Sequence, residues 1–208
     1  MGHTQQPQDA ELLEMIRESA SKFLVANAGR PPDGQALWSA FAELGWLSLP
    51  VESERGGLGG GLREVAVLFD AFGQHLMSHP YLDAVLALYA LRQMPQLDAV
   101  REGIARVALA TREADLRDPL AARSTIVQHA PDGSLRLSGA KRGVRFAQSA
   151  THLLVSAVDN PSGRIVWCWI DAAAPGVSMQ SMPRVDAESL ATTAGKWLPA
   201  CTSAVWRR

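Results

Sequence analysis

The hydrophobic period of this chain changes once, near Gly103, and does not change back. Before that point apolar residues recur at three- and four-residue steps, the spacing of one helix face. From Ile104 onward they alternate, as in half-buried strands. A run of helices followed by a run of strands predicts an α+β chain or two separate domains. The division expected from this change is a helical domain over 1–103, a β domain over 104–186 and a divergent tail over 187–208.

Four helices are expected before the change, with a short fifth. The first runs from about Asp9 to Ala28, with Leu12, Ile16, Ala20, Phe23 and Leu24 as its apolar stripe. The second carries Leu37, Phe41 and Leu44 on one face, with Asp33 as a plausible N-cap and Gly45 placed for a left-handed C-terminal residue. An extended run from Trp46 to Pro50 then leads to five glycines within Gly56–Gly61. No Lys-Ser/Thr follows these glycines and no β-branched strand precedes them, so close helix-to-helix packing is favoured over a phosphate loop. The third helix, Leu62 to Leu76, shows Val65, Phe69, Phe72 and Leu76 at helical spacing. The fourth, Tyr81 to Met94, is apolar nearly all round, which predicts a central helix with Leu86 and Tyr89 in the core. A short helix over Leu97–Glu102 ends at Gly103.

After the change, seven strands are expected: Ile104–Thr111, Ser124–Ala130, Ser134–Ser138, Val144–Gln148, His152–Val158, Arg164–Ile170 and Val177–Met182. Pro131-Asp132-Gly133 and Asn160 to Gly163 have hairpin-turn chemistry. The tail from Ala187 shows no clean alternation, and Trp197 and Trp206 are hard to bury in so short a piece. It reads as a divergent or frame-shifted terminus, disordered at its end.

Composition narrows the function. The net charge is −1, so electrostatic capture of nucleic acid or of an anionic membrane is not expected. No apolar run is long enough to span a bilayer, and the start lacks a secretory signal. Cys168 and Cys201 make neither a disulfide framework nor a zinc site, which predicts a cytoplasmic home. His75 and His79 are four residues apart, a spacing that favours solvated or capping side chains over a metal site.

One motif is specific enough to compare. Trp38, Glu43, Leu44, Gly45, Trp46, Pro50, Glu52, Gly56, Gly57, Leu58 and Gly59 read W-x-x-x-x-E-L-G-W, then P-x-E-x-x-x-G-G-L-G. This resembles the N-terminal helical domain of the acyl-CoA dehydrogenase family. Gly103–Ala110 resembles the family's first β strand. Gly139, Lys141, Val144, Leu154, Val155 and Ala157 resemble its G-x-K hairpin. The resemblance implies the fold of the N-terminal half of such an enzyme: a helical bundle followed by an antiparallel, barrel-like β domain. It implies FAD as cofactor, and an acyl-CoA of fatty-acid or steroid side-chain type as substrate. The flavin would carry the redox chemistry and the protein would orient it.

The same resemblance points to losses. The family's base glutamate comes from a C-terminal helical domain, and this sequence corresponds to roughly the first half of a family chain. The implied polypeptide is inactive alone; it is either the non-catalytic partner of a longer subunit, in a homo- or hetero-oligomer, or a remnant. Where the family has Thr-Glu-Pro, this chain has Thr111, Arg112, Glu113 and Ala114. Thr111 is displaced by one residue, which turns a strand side chain to the opposite face. Gly143 stands at the position of a flavin-contacting Trp, and Arg145 at that of a hydroxyl residue. Thr111 and Arg145 are therefore the expected cofactor-binding residues of a degraded flavin site, with no catalytic or metal-binding residue expected. Trp167 and Trp169 share a strand face and favour packing. Arg30, Arg55 and Arg63 favour a surface role, and Glu52 and Glu54 a loop role. Exposed apolar surface is expected at Leu88, Leu91, Trp167 and Trp169, and with it self-association. The alternative is a helical module that binds a protein or an acyl chain and never meets flavin.

Overall fold

The structure is a computed structural model that describes residues 7–28, 34–113, 124–131, 133–182, 190–199 and 201–205, with side chains described between 10 and 181. Contacts cluster into two units, Met1–His79 and Pro80–Arg208. Gly103 (φ +72°) marks the change from helix to strand, which lies inside the second unit.

The first unit holds α1 (Pro7–Ala26), α2 (Gln35–Glu43) and α3 (Leu62–Gln74). Its core is aromatic. Phe41 sits 5.0 Å from Trp46, 5.6 Å from Phe72 and 5.4 Å from the ring of His79. Aromatic pairs at these separations add stabilisation beyond the area they bury. The α1 stripe is buried only in its C-terminal half, at Ala20 and Leu24, whereas Leu12 is 48% exposed. Gly34 is the N-cap of α2, and Asp33 lies outside the described residues. Gly45 takes the left-handed conformation expected of it (φ +74°).

Residues 46–50 form successive turns, not the extended run expected. The glycine loop packs against these turns rather than between helices. The amides of Leu58, Gly59 and Gly60 donate to the carbonyls of Ser48, Val51 and Leu49. A Cβ on Gly57 would stand 2.0 Å from the Val51 oxygen, so no other residue fits there without moving the backbone. The Gly61 amide donates to the Glu64 carboxylate at 2.7 Å and starts α3. Leu76, expected on the buried face, lies beyond the end of α3, 92% exposed and left-handed (φ +49°). There the Met77 amide closes back on the Phe72 carbonyl, a helix stop that normally uses glycine.

The second unit begins with α4 (Tyr81–Ala90) and α5 (Gln96–Arg101). The helix α4 is not buried all round. Tyr81, Ala84, Val85, Leu88 and Leu91 are buried, whereas Leu82, Leu86 and Tyr89 are 41%, 46% and 36% exposed. Leu86 and Tyr89 are thus not core residues, and the expected exposure of Leu88 and Leu91 is corrected. The reason is local: nine of the ten residues of α4 are apolar, so composition could not say which side faces the sheet. Asp83 settles it. Its carboxylate is buried and accepts the Leu109 amide at 3.0 Å.

The sheet is open and mixed. Its strands are β1 (Val107–Ala110), β2 (Ile126–His129), β3 (Leu135–Arg145), β4 (His152–Asp159), β5 (Ile165–Asp171), β6 (Val177–Met182), β7 (Leu190–Pro199) and β8 (Cys201–Val205). They run in the order β6-β7-β3-β2-β4-β5-β8, with β1 also on β4. The expected α+β order of helices then strands is found. Most pairings are antiparallel, but β1 and β2 both run parallel to β4. They share one edge of β4: β1 pairs with His152–Val155 and β2 with Val158–Asp159.

Two further expectations are corrected. The segments Ser134–Ser138 and Val144–Gln148 are not separate strands: Leu135–Ser138 and Val144–Arg145 belong to β3, which carries register shifts on the way, and residues 146–148 form a turn. The tail is not without regular structure: its backbone forms β7 on β3 and β6, and β8 on β5. Two of its three partners, β3 and β5, are distant in sequence, and those pairings have no local signal. Trp206 lies outside the described residues.

Candidate functional site

The shared edge of β4 leaves a gap at Ser156, where β1 has ended and β2 has not begun. A buried ion pair fills it. Lys141 Nζ lies 2.7 Å from Glu113 Oε1, with side-chain exposures of 2% and 5%. The ammonium also reaches the Thr111 carbonyl and the Ser156 hydroxyl, both at 3.4 Å. The carboxylate accepts the Ser124 amide at 2.6 Å, the Ser124 hydroxyl at 2.9 Å and the Thr125 amide at 3.1 Å. Burial alone would raise the Glu113 pKa. The Lys141 bond and the bonds from Ser124 and Thr125 outweigh it and hold the carboxyl at about 2. Such a pair holds its segments in register because every polar atom needs its partner.

This pair positions a lip. The Arg142 amide donates to the Arg112 carbonyl at 2.8 Å, which ties residues 111–113 to the outer end of β3. Thr111 is half-buried, and its carbonyl faces Lys141. Arg145 is half-buried, with its guanidinium 5.2 Å from the centre of the Phe146 ring. Phe146 is buried and left-handed (φ +53°). Between them Gly143 (φ +66°) carries no side chain, and Arg112 Nη1 lies 3.9 Å from where its Cβ would be. The two expected site residues thus sit on neighbouring segments joined through Arg112 and Arg142. Sequence reasoning named Glu113 and Lys141 without seeing them as a pair. No local signal marked the pair: Lys141 and Val144 are three residues apart, which regular alternation would put on opposite faces, and both are buried with a register shift between them.

Other candidates are structural. Trp169 is 7% exposed and stacks on His152 at 4.5 Å, and Trp167 is half-buried, so neither is the open apolar surface expected of it. Burial depresses the His152 pKa, opposed in part by Asp171. The Cys168 thiol is pushed up to about 12, chiefly by burial, and is no nucleophile. Glu52 and Glu54 are exposed, Arg63 is exposed, Arg55 is half-buried, and Arg30 lies outside the described residues. His79 is buried beside Phe72, with ring centres 3.9 Å apart, while His75 is exposed. Among the described residues no helix is long and apolar enough to cross a membrane.

Comparison with known proteins places this architecture. No family model matches the chain. Acyl-CoA dehydrogenase FadE28 of Mycobacterium tuberculosis is 36% identical over 124 residues, which are 58% of this chain and 36% of that protein. A variant of the Tcur3481-Tcur3483 steroid ACAD superposes with a TM-score of 0.81 at 26% identity, over 94% of this chain and 57% of that one. The ChsE4-ChsE5 complex of Mycobacterium tuberculosis matches in fold, with a TM-score of 0.77 at 20% identity, over 99% of this chain and 58% of that one. The chain therefore spans little more than a third of its curated relative, and somewhat over half of these solved chains. In sequence over those 124 residues, and in fold over nearly its whole length, this chain is similar to the acyl-CoA dehydrogenases, with the fold of their N-terminal helical and middle β domains.

Proposed function

We propose that the chain serves α,β-dehydrogenation of an acyl-CoA thioester, as the N-terminal and middle part of a cytoplasmic flavoprotein that works in an oligomer with a longer subunit. The observation that carries this reading is the 36% identity with FadE28. A substrate with a fatty-acid or steroid side chain is supported by the 26% identity with a steroid ACAD, and an unlike partner by the two-chain complexes among the matches. The buried carboxylates among the described residues, Asp83 and Glu113, both hold backbone amides. The base that removes the α-proton is therefore assigned to the partner, since such a base must reach the reacting carbon.

FAD is the cofactor of this reading, and this lip does not fit its ring. Thr111 and Arg145 offer polar edge groups, but Gly143 gives an isoalloxazine no apolar face to pack on, and Arg112 leans over that space. The flavin site of this chain is thus read as degraded, with the ring held mainly by the partner. The test is flavin absorbance and acyl-CoA turnover of the purified chain, alone and co-expressed with a longer subunit. Flavin and turnover only in the mixture are expected. Turnover by the chain alone would overturn the reading.

A second reading rests on α4, whose exposed Leu82, Leu86 and Tyr89 recur at helical spacing. It makes the chain a module that binds a protein or an acyl chain without flavin. A mixture that carries no flavin yet binds acyl-CoA would favour it.

A further inference from the structure

We propose that the lip around Gly143 is a phosphate-binding site, in which Arg112, Arg142 and Arg145 receive a phosphate or pyrophosphate group. The inference rests on the reading above only for the source of that group, a dinucleotide or a coenzyme A thioester.

Three observations carry it. The first is charge. Lys141 is neutralised by Glu113, whereas Arg112 and Arg142 are exposed and make no ion pair with any described residue. Guanidinium groups match phosphate oxygens with paired N–H donors, so arginine is the residue suited to this task.

The second is fixity. The backbone of Arg112 and Arg142 is joined by a 2.8 Å hydrogen bond, and each is the chain neighbour of one member of the buried pair. Arg145 is held over the Phe146 ring at a cation–π distance. Phe146 has a left-handed backbone there, a strained conformation that bulky residues rarely adopt. Strain of this kind persists where the surroundings demand it, and here its consequence is a placed guanidinium.

The third is room. Gly143 has no Cβ, and among the described residues the nearest atom to that missing position is Arg112 Nη1 at 3.9 Å. A ligand can therefore approach the backbone where a side chain would stand, flanked by arginines on both segments.

Isothermal titration of the full chain at low salt tests this, with inorganic pyrophosphate, coenzyme A, pantetheine, FAD and riboflavin as probes. Pyrophosphate is expected to bind, and pantetheine and riboflavin, which lack phosphate, are not. Arg112→Gln and Arg142→Gln each weaken pyrophosphate roughly tenfold, the size of one lost charged hydrogen bond. Both side chains are exposed, so an unchanged melting temperature separates this loss from misfolding. Arg145→Lys keeps the charge but not the fork, and falls between wild type and Arg145→Gln. Displacement of pyrophosphate by coenzyme A assigns the group to the thioester, and displacement by FAD to the dinucleotide. If neither displaces it, the lip stands and the dehydrogenase reading fails. Undetectable pyrophosphate binding overturns the proposal, as does equal binding by the double Gln variant, or pantetheine binding as tightly as coenzyme A.

Discussion

The core of the helical unit and the junction of the sheet are both buried, yet they are held in opposite ways. Around Phe41 the contacts are aromatic and have no strict direction: Trp46, Phe72 and His79 crowd the ring at 5.0–5.6 Å. At the β4 junction one ammonium and one carboxylate are held by named donors and acceptors. The aromatic core tolerates repacking, because hydrophobic mass of about the right shape suffices. The ion pair tolerates no single loss, because a buried charge without its partner is heavily penalised. The difference also marks which parts of the chain are general scaffold and which place the lip.

The sharpest way to break the comparison is to remove one charge. Lys141→Met leaves Glu113 buried and unpaired and is expected to cost about 3–5 kcal/mol. The double variant Glu113→Leu, Lys141→Met should regain most of that loss, since a buried pair is often replaceable by apolar groups. Urea denaturation of the three proteins checks this. Equal loss in the single and double variants would show that packing, not charge, governs the junction.

A second experiment compares the two sides of α4. Leu88→Ala should cost about 2–5 kcal/mol, as for a buried leucine. Leu86→Ala, at 46% exposure, should cost less than about 1 kcal/mol. Similar shifts in denaturation midpoint for the two would mean that α4 is covered on both sides in solution.

The third is pH dependence. The Glu113 pKa is about 2 in the fold against an ordinary value of 4.5. A depressed carboxylate contributes stability that is full above its unfolded pKa and is lost as pH falls through its folded pKa. Stability should therefore decline between about pH 4.5 and 2, by roughly 3 kcal/mol from this group. The double variant should lack that component. Identical acid profiles for it and the wild type would remove Glu113 as the source.

The smallest expected effect is a gain. Leu76 occupies a left-handed helix stop with its side chain exposed. Leu76→Gly should stabilise the chain by about 1 kcal/mol, by relieving the Cβ clash of that conformation. A loss of melting temperature would show that the Leu76 side chain makes a contact in solution.

What the sequence determined by itself is the order and kind of elements, because helix and strand periods are local properties of neighbouring residues. The switch at Gly103, the glycine motif after Trp46 and most of the strands from Val107 to Met182 are readable in this way. Arg145 and Thr111 could be singled out because they depart from a pattern at fixed spacing. Tertiary structure decided the rest. It chose the buried side of α4 through Asp83, merged two segments into β3, and gave the tail its partners in β3, β5 and β6. It also joined Glu113 to Lys141 across 28 residues and thereby set Arg112 beside Gly143. These outcomes depend on which distant groups can satisfy a buried amide, carboxylate or ammonium. That question has no answer in any short window of sequence, because the partners meet only once the strands are paired.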